Sequence, residues 1–218
     1  MSTIFRLDSS IRQEGSVTRA VADTLEATIA DELGHPDVVR RDVASQPLDP
    51  SIWATAAFAG YTPEADRTPE QLAALAVSAE LADELVNADV LILGTPMYNF
   101  GVSQHFKTWF DIALTDPRIG PGSTALAGKP AILVTARGGG YGEGTPRAGW
   151  DHATGWIRRV LEDVWQLDLD VIETELTLAE VNPQMAEFRD LARAQLAESH
   201  ETARSSGRSV TVKLRSAA

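Results

Sequence analysis

Three short stretches of the sequence gather residues able to do chemistry without a thiol or a metal. The first, "DSSIRQEGSVTRA", places hydroxyls at Ser9 and Ser10 and then opens a helix at Ser16, Val17 and Thr18. Free backbone N–H groups and the helix dipole at such a start attract an anion, and hydroxyls add donors without adding charge. The spacing is neither the G-x-G-x-x-G of a dinucleotide site nor a loop ending in G-K-[ST], so a monophosphate fits better than a pyrophosphate. The second stretch, "TPMYNF", sets Met97, Tyr98 and Phe100 around Asn99, whose amide both donates and accepts. The third, "TARGGGYGEGTP", holds five glycines from Gly138 to Gly144, which let a backbone approach a ligand and aim N–H groups at it. Each has a plainer reading: a helix cap, an apolar plug, a flexible loop. A plug needs no bifunctional amide between two aromatics, however, and a flat ring with polar edges and a phosphate tail would satisfy all three. Flavin mononucleotide (FMN) is such a molecule.

These stretches need a frame that brings them together. Strands are expected at "STIFRLD", "DVVRRD", "DVLILGT", "KPAILVTA" and "LDVIET". The third and fourth are apolar without alternation, as in strands buried on both faces. Helices are expected at Val17 to Leu33, at Thr68-Pro69 (a Thr cap followed by Pro and a capping-box Gln71) to about Val86, and at Gln104 to Leu114. Others are expected over "WIRRVLEDVW", residues 183–204 and a short piece near Trp53 to Phe58, with a tail over 205–218. Strand–helix alternation predicts an α/β fold: a flavodoxin-like three-layer sandwich, a five-stranded parallel sheet with helices on both faces, forming one domain over residues 1–204. Ligands in such sheets sit beyond the C-terminal ends of the strands, where the loops after strands one, three and four emerge.

Composition narrows the partners. The 218 residues carry a net charge of −12, which opposes binding to nucleic acid or an anionic membrane. There is no cysteine, and no apolar run approaches the ~20 residues of a membrane span. A cytoplasmic protein is expected. The four histidines are scattered without metal-site spacing.

"PMYNF" followed by "SQHFKTWFD", with "RGG" after a strand and "SSI" before a serine-led helix, resembles the FMN-dependent NADH:quinone oxidoreductases of the azoreductase family over most of residues 2–200. The resemblance implies a homodimer with flavin sites at its interface, in which hydride passes from NADH or NADPH through FMN to quinones or azo compounds by ping-pong kinetics. It implies phosphate contacts at Ser10, Ser16, Val17 and Thr18, and a flavin lining of Met97, Tyr98, Asn99 and Phe100. Ala136, Arg137, Gly138 and Gly139 would meet the polar edge of the ring, with no protein base required and Tyr141 or Arg137 as accessory groups, the alternative for the Arg137 side chain being a pairing with a surface carboxylate. The chain departs from that pattern at Val17 (commonly Gln), Ala136 (typically Ser) and Tyr141 (His in relatives), and residues 112–127 lack the aromatics that can cover a partner's flavin. The rival reading is a flavodoxin-type carrier passing single electrons to a protein. Trp109 and Phe110 are expected in the core or a dimer contact, Trp150, Trp156 and Trp165 as buried against the sheet or a partner subunit, and the acids of 173–187 as a solvated face.

Overall fold

The computed structural model describes residues 2–217. Five parallel strands, β1 (Thr3–Asp8), β2 (Asp37–Asp42), β3 (Val90–Gly94), β6 (Pro130–Ala136) and β7 (Asp168–Thr174), lie in the order β2-β1-β3-β6-β7. A hairpin of β4 (Met97–Tyr98) and β5 (Gly101–Val102) stands apart from this sheet. The expected five-stranded α/β sandwich is therefore present.

Alternation along each strand sorts the core into two layers. Phe5, Leu7, Leu91, Leu93 and Leu133 face α3 (Pro69–Asn87), α4 (Gln104–Ala113) and α5 (Thr154–Arg158), where Leu81, Leu85, Trp109 and Ile157 cover them. Ile4, Val90, Ile92, Ile132 and Val134 face α1 (Val17–Leu33) and α6 (Arg189–Ala217) through Val21, Leu25, Ile29, Ala203 and Val210. Trp109 and Trp165 are fully enclosed, and the Trp165 indole donates to the Ile119 carbonyl at 3.0 Å.

Local chemistry sets the helix ends. The Ser16 hydroxyl caps α1 by accepting from the Arg19 N–H, and Thr68 and Gln71 form the capping box of α3 with Pro69 at its first position. α5 continues into a π-helical turn over Arg159–Val164. The 43–68 segment contains α2 (Ser51–Ala59), which packs on α3 and α4.

The structure corrects two expectations and divides a third. Residues 205–217 form no separate tail: α6 runs unbroken from Arg189 to Ala217, preceded by a 3₁₀ turn over Pro183–Phe188. Val210 is buried against α1, and at Gly207 an added Cβ would stand 2.9 Å from Thr28 Cγ2, so the glycine lets the two helices close together. Of the three tryptophans, Trp165 is buried within the chain, whereas Trp150 is 51% exposed and Trp156 partly buried, so the chain alone does not cover these two. Among the acids of 173–187, Glu173 and Glu175 hold Arg137 rather than facing only solvent.

Candidate active site

Register puts the ends of four strands on one rim. Asp8 is level with Gly94, and Gly94 with Val134, while Ala136 pairs with Thr174. The chain stays stitched just past that rim, through Ser9 N–H to the Gly94 carbonyl (2.9 Å), Thr95 N–H to Val134 (3.0 Å) and Arg137 N–H to Thr174 (2.8 Å). The loops after β1, β3, β6 and β7 therefore leave side by side. Between them is a cavity of about 370 Å³, within the size range of small-ligand sites. A larger groove of about 540 Å³ runs along β7 and α6, but Glu173, Glu175 and Glu198 line it and no helix start opens into it.

One end of the cavity is built from hydroxyls and a helix start. Ser16 Oγ donates to Ser10 Oγ at 2.9 Å, and Ser10, Ser16, Val17 and Thr18 all line the space, joined by Arg12. The Val17 and Thr18 N–H groups, in the first turn of α1, have no acceptor among the described residues. Behind them Arg19 donates to the carbonyls of Ser10 (2.8 Å) and Arg12 (3.1 Å) and grips Asp42 through both terminal nitrogens. Burial acts to raise the Asp42 carboxyl, but hydrogen bonds from Arg19 and Ser45 hold it below the ordinary range. Deeper, Arg6 is buried and paired with Asp8, Asp23 and Glu26. The cradle thus rests on fixed charges that do not themselves line it.

The β4–β5 hairpin forms one wall. Its turn needs left-handed backbone at both central residues, with φ of 48° at Asn99 and 65° at Phe100, the pattern of a type I′ turn. Asparagine tolerates that region; phenylalanine is strained there, as functional loops often are. Two tethers hold the turn: the Tyr98 hydroxyl accepts from the Ile11 N–H at 3.1 Å, and the Phe100 carbonyl from His152 N–H at 2.9 Å. The Asn99 amide makes no hydrogen bond among the described residues, and Asn99 lines the cavity. Phe100 packs edge-on to Trp150 (5.5 Å) and Tyr141 (6.3 Å).

A third part of the lining is the glycine loop. Carbonyls of Arg137, Gly138 and Gly139 accept from the N–H groups of Thr177, Leu178 and Leu176, whereas the Gly138 and Gly139 N–H groups have no acceptor among the described residues. A Cβ at Gly138 would lie 2.7 Å from Leu178 Cδ1, so this loop sits flush on the one after β7.

Eleven of the twelve residues expected to contact the ligand line this one cavity; Arg137 does not. Its guanidinium is buried the other way, 2.9 Å from Asp151, 2.7 Å from Glu173 and 2.9 Å from Glu175, and its N–H is used by Thr174. Three carboxylates leave no charge for a ligand, so the accessory role expected of Arg137 is withdrawn. Tyr141 does line the cavity, with its hydroxyl 3.5 Å from Arg147 Nη1. The sequence reading missed Arg12, Pro96, Arg147, Thr177 and Leu178. The last two follow β7, which lies beside β6 in the sheet, so the loop after the fifth strand belongs with the other three.

Comparison with known proteins agrees with this geometry. Residues 2–199 match a family model described as Flavodoxin-like fold. An FMN-dependent NADH:quinone oxidoreductase of Frankia alni is 39% identical over 197 residues, 88% of this chain and 92% of that protein. One from Streptomyces coelicolor is 35% identical over 215 residues, 98% and 97% of the two chains.

The chain belongs to this oxidoreductase family.

Among solved structures, an azoreductase from Bacillus anthracis str. Sterne superposes with a TM-score of 0.76 at 21% identity, over 95% of this chain and 99% of that one. An FMN-dependent NADH-azoreductase from Bacillus anthracis str. Ames Ancestor, solved in complex with FMN, gives 0.71 at 12% identity, over 93% and 98%. At such identities the likeness shows the shared fold.

Proposed function

We propose that the cavity holds FMN and that the protein carries two electrons from NADH or NADPH to quinones, and to azo compounds, by ping-pong kinetics. It is an oxidoreductase, and its cofactor is FMN. The observation that carries the reading is the presence of two unengaged sets of backbone donors, Val17/Thr18 and Gly138/Gly139, in the lining of one cavity that Tyr98, Phe100 and Tyr141 also wall. When bound, FMN supplies the redox chemistry, accepting a hydride and passing on its two electrons.

The chain's own residues bind, orient and screen. Ser10, Ser16 and Arg12, with the Val17 and Thr18 N–H groups, hold the phosphate. Met97 to Phe100 lie along the ring, and Asn99 offers its free amide to the ring's edge. The Gly138 and Gly139 N–H groups would serve as preorganised donors to the polar edge of the ring, with no rearrangement needed because 176–178 already fix the loop. Donor and acceptor use the same open side in turn. The exposed Phe100 and Trp150 beside the mouth supply apolar surface for a second copy, which supports reading the working form as a homodimer.

An absorption spectrum tests this directly. Purified protein is expected to be yellow, to bleach on NADH and to recover its colour on quinone. A colourless protein that takes up no FMN would overturn the site. The acidic surface, net charge −12, also suits a carrier of single electrons to a protein partner. Failure of NADH to bleach the bound flavin would favour that reading.

A further inference from the structure

Most basic side chains of this acidic protein are neutralised locally, as Arg6, Arg19, Arg41, Arg118 and Arg137 illustrate. Two that line the cavity have no carboxylate partner among the described residues, Arg12 at the hydroxyl end and Arg147 at the glycine end. Arg12 has an evident duty toward a phosphate. Arg147 has none in the reading so far.

Its placement is specific. The guanidinium lies 5.7 Å from the centre of the Phe100 ring, with Nη1 3.5 Å from the Tyr141 hydroxyl. An aromatic face steadies an arginine without cancelling its charge, and the fork keeps donors free at its edge. The backbone around it is a run of turns, with Ala148 N–H to the Thr145 carbonyl and Trp150 N–H to the Arg147 carbonyl at 3.1 and 3.0 Å. Arg137, the other arginine of this loop, is saturated by Asp151, Glu173 and Glu175. At the glycine end of the cavity, Arg147 is thus the cation left to meet a ligand.

We propose that Arg147 is a specificity residue that favours electron acceptors bearing an acid group, a sulfonate or carboxylate, over neutral ones. This rests on reading the cavity as the seat of a flavin-dependent quinone reductase. The physical logic is a local charge set against the field of the whole protein. A net charge of −12 repels an anionic acceptor at long range, and a forked donor at the rim reverses that over the last few ångströms. A neutral quinone gains nothing from it.

The test uses FMN-loaded wild type, Arg147→Gln and Arg147→Lys with 1,2-naphthoquinone-4-sulfonate and 1,2-naphthoquinone. Losing one charged hydrogen-bond partner at an exposed rim should raise KM for the sulfonated quinone about tenfold and leave the neutral one within about twofold, with Lys between. High salt should raise that KM in wild type and have little effect in Arg147→Gln. Without NADH, tryptophan quenching by anthraquinone-2-sulfonate should show the same loss of affinity. Equal changes for both quinones would overturn the proposal, and so would a rise in KM for NADH alone, which would assign the arginine to the donor. If wild type reduces neither quinone, the functional reading itself fails, while unchanged quenching would still dispose of the arginine's role.

Discussion

The Arg19 guanidinium donates to the Ser10 carbonyl at 2.8 Å, so the first turn of α1 holds the loop that precedes it. A second bond, to the Arg12 carbonyl, and the two-pronged grip on Asp42 make this side chain a brace for the phosphate end. Arg19→Ala should raise the dissociation constant for FMN about tenfold and cost about 1–3 kcal/mol in urea unfolding. Unchanged FMN affinity would mean the loop keeps its shape without the brace.

Asp42 makes that brace sensitive to acid. Its carboxyl is held below the ordinary range by Arg19 and Ser45 against the opposing effect of burial. Stability from such a group is present above the unfolded value, near about 4, and is lost as pH falls below it. Asp42→Asn should therefore destabilise the protein at neutral pH, and its deficit relative to wild type should close below about pH 4. Urea melts across that range measure this; a deficit constant with pH would remove the carboxylate from the account.

Gly138 and Leu178 are a matched pair. An alanine methyl at 138 would press on Leu178 Cδ1 and Cγ, at 2.7 and 3.0 Å, and Leu178 is half-exposed and free to give. Gly138→Ala should cost only about 1 kcal/mol in stability but weaken FMN binding several-fold, roughly, by lifting the two N–H groups off their line. Trimming the obstacle with Leu178→Ala in the double variant should restore most of the affinity. Independent effects of the two substitutions would show that the loops are not coupled.

Much of this was legible in the sequence because it was local. The buried strands β3 and β6 announce themselves by unalternated apolar runs, and Ser16, Thr68 and Pro69 mark helix starts by capping chemistry alone. What was not legible depends on partners far along the chain. The fate of Arg137 is decided by carboxylates such as Glu175, 38 residues away. The end of α6 was obscured because "SSGRSVTV" reads as a poor helix former. Burial of Val210 and the close approach at Gly207 override that propensity.

The α6 extension should consequently matter for stability rather than chemistry. Deleting residues 205–218 strips Val210 and Leu214 from the layer that covers α1. A loss of at least about 2 kcal/mol is expected, seen as an earlier urea midpoint, and Gly207→Ala should reproduce part of it by forcing the two helices apart. FMN added in excess should recover some stability in the truncated form, since ligand binds only the folded state. A truncated protein as stable as the full chain would show that these residues add nothing to folding.

Asn99 serves the turn with its backbone and offers its amide to a ligand, and a pair of substitutions separates the two. Its backbone sits at φ 48° in the hairpin turn, and its amide has no partner within the described chain. Asn99→Gly keeps the turn, because glycine enters that region freely, and removes only the amide. Asn99→Ala removes the amide and strains the turn as well. If the amide meets the flavin, both variants should weaken FMN binding, Gly by about 1 kcal/mol and Ala by more. If the residue is there only for its backbone, Asn99→Gly should bind FMN like wild type and Asn99→Ala alone should suffer. Titrating the apoprotein with FMN and following flavin fluorescence separates the two cases.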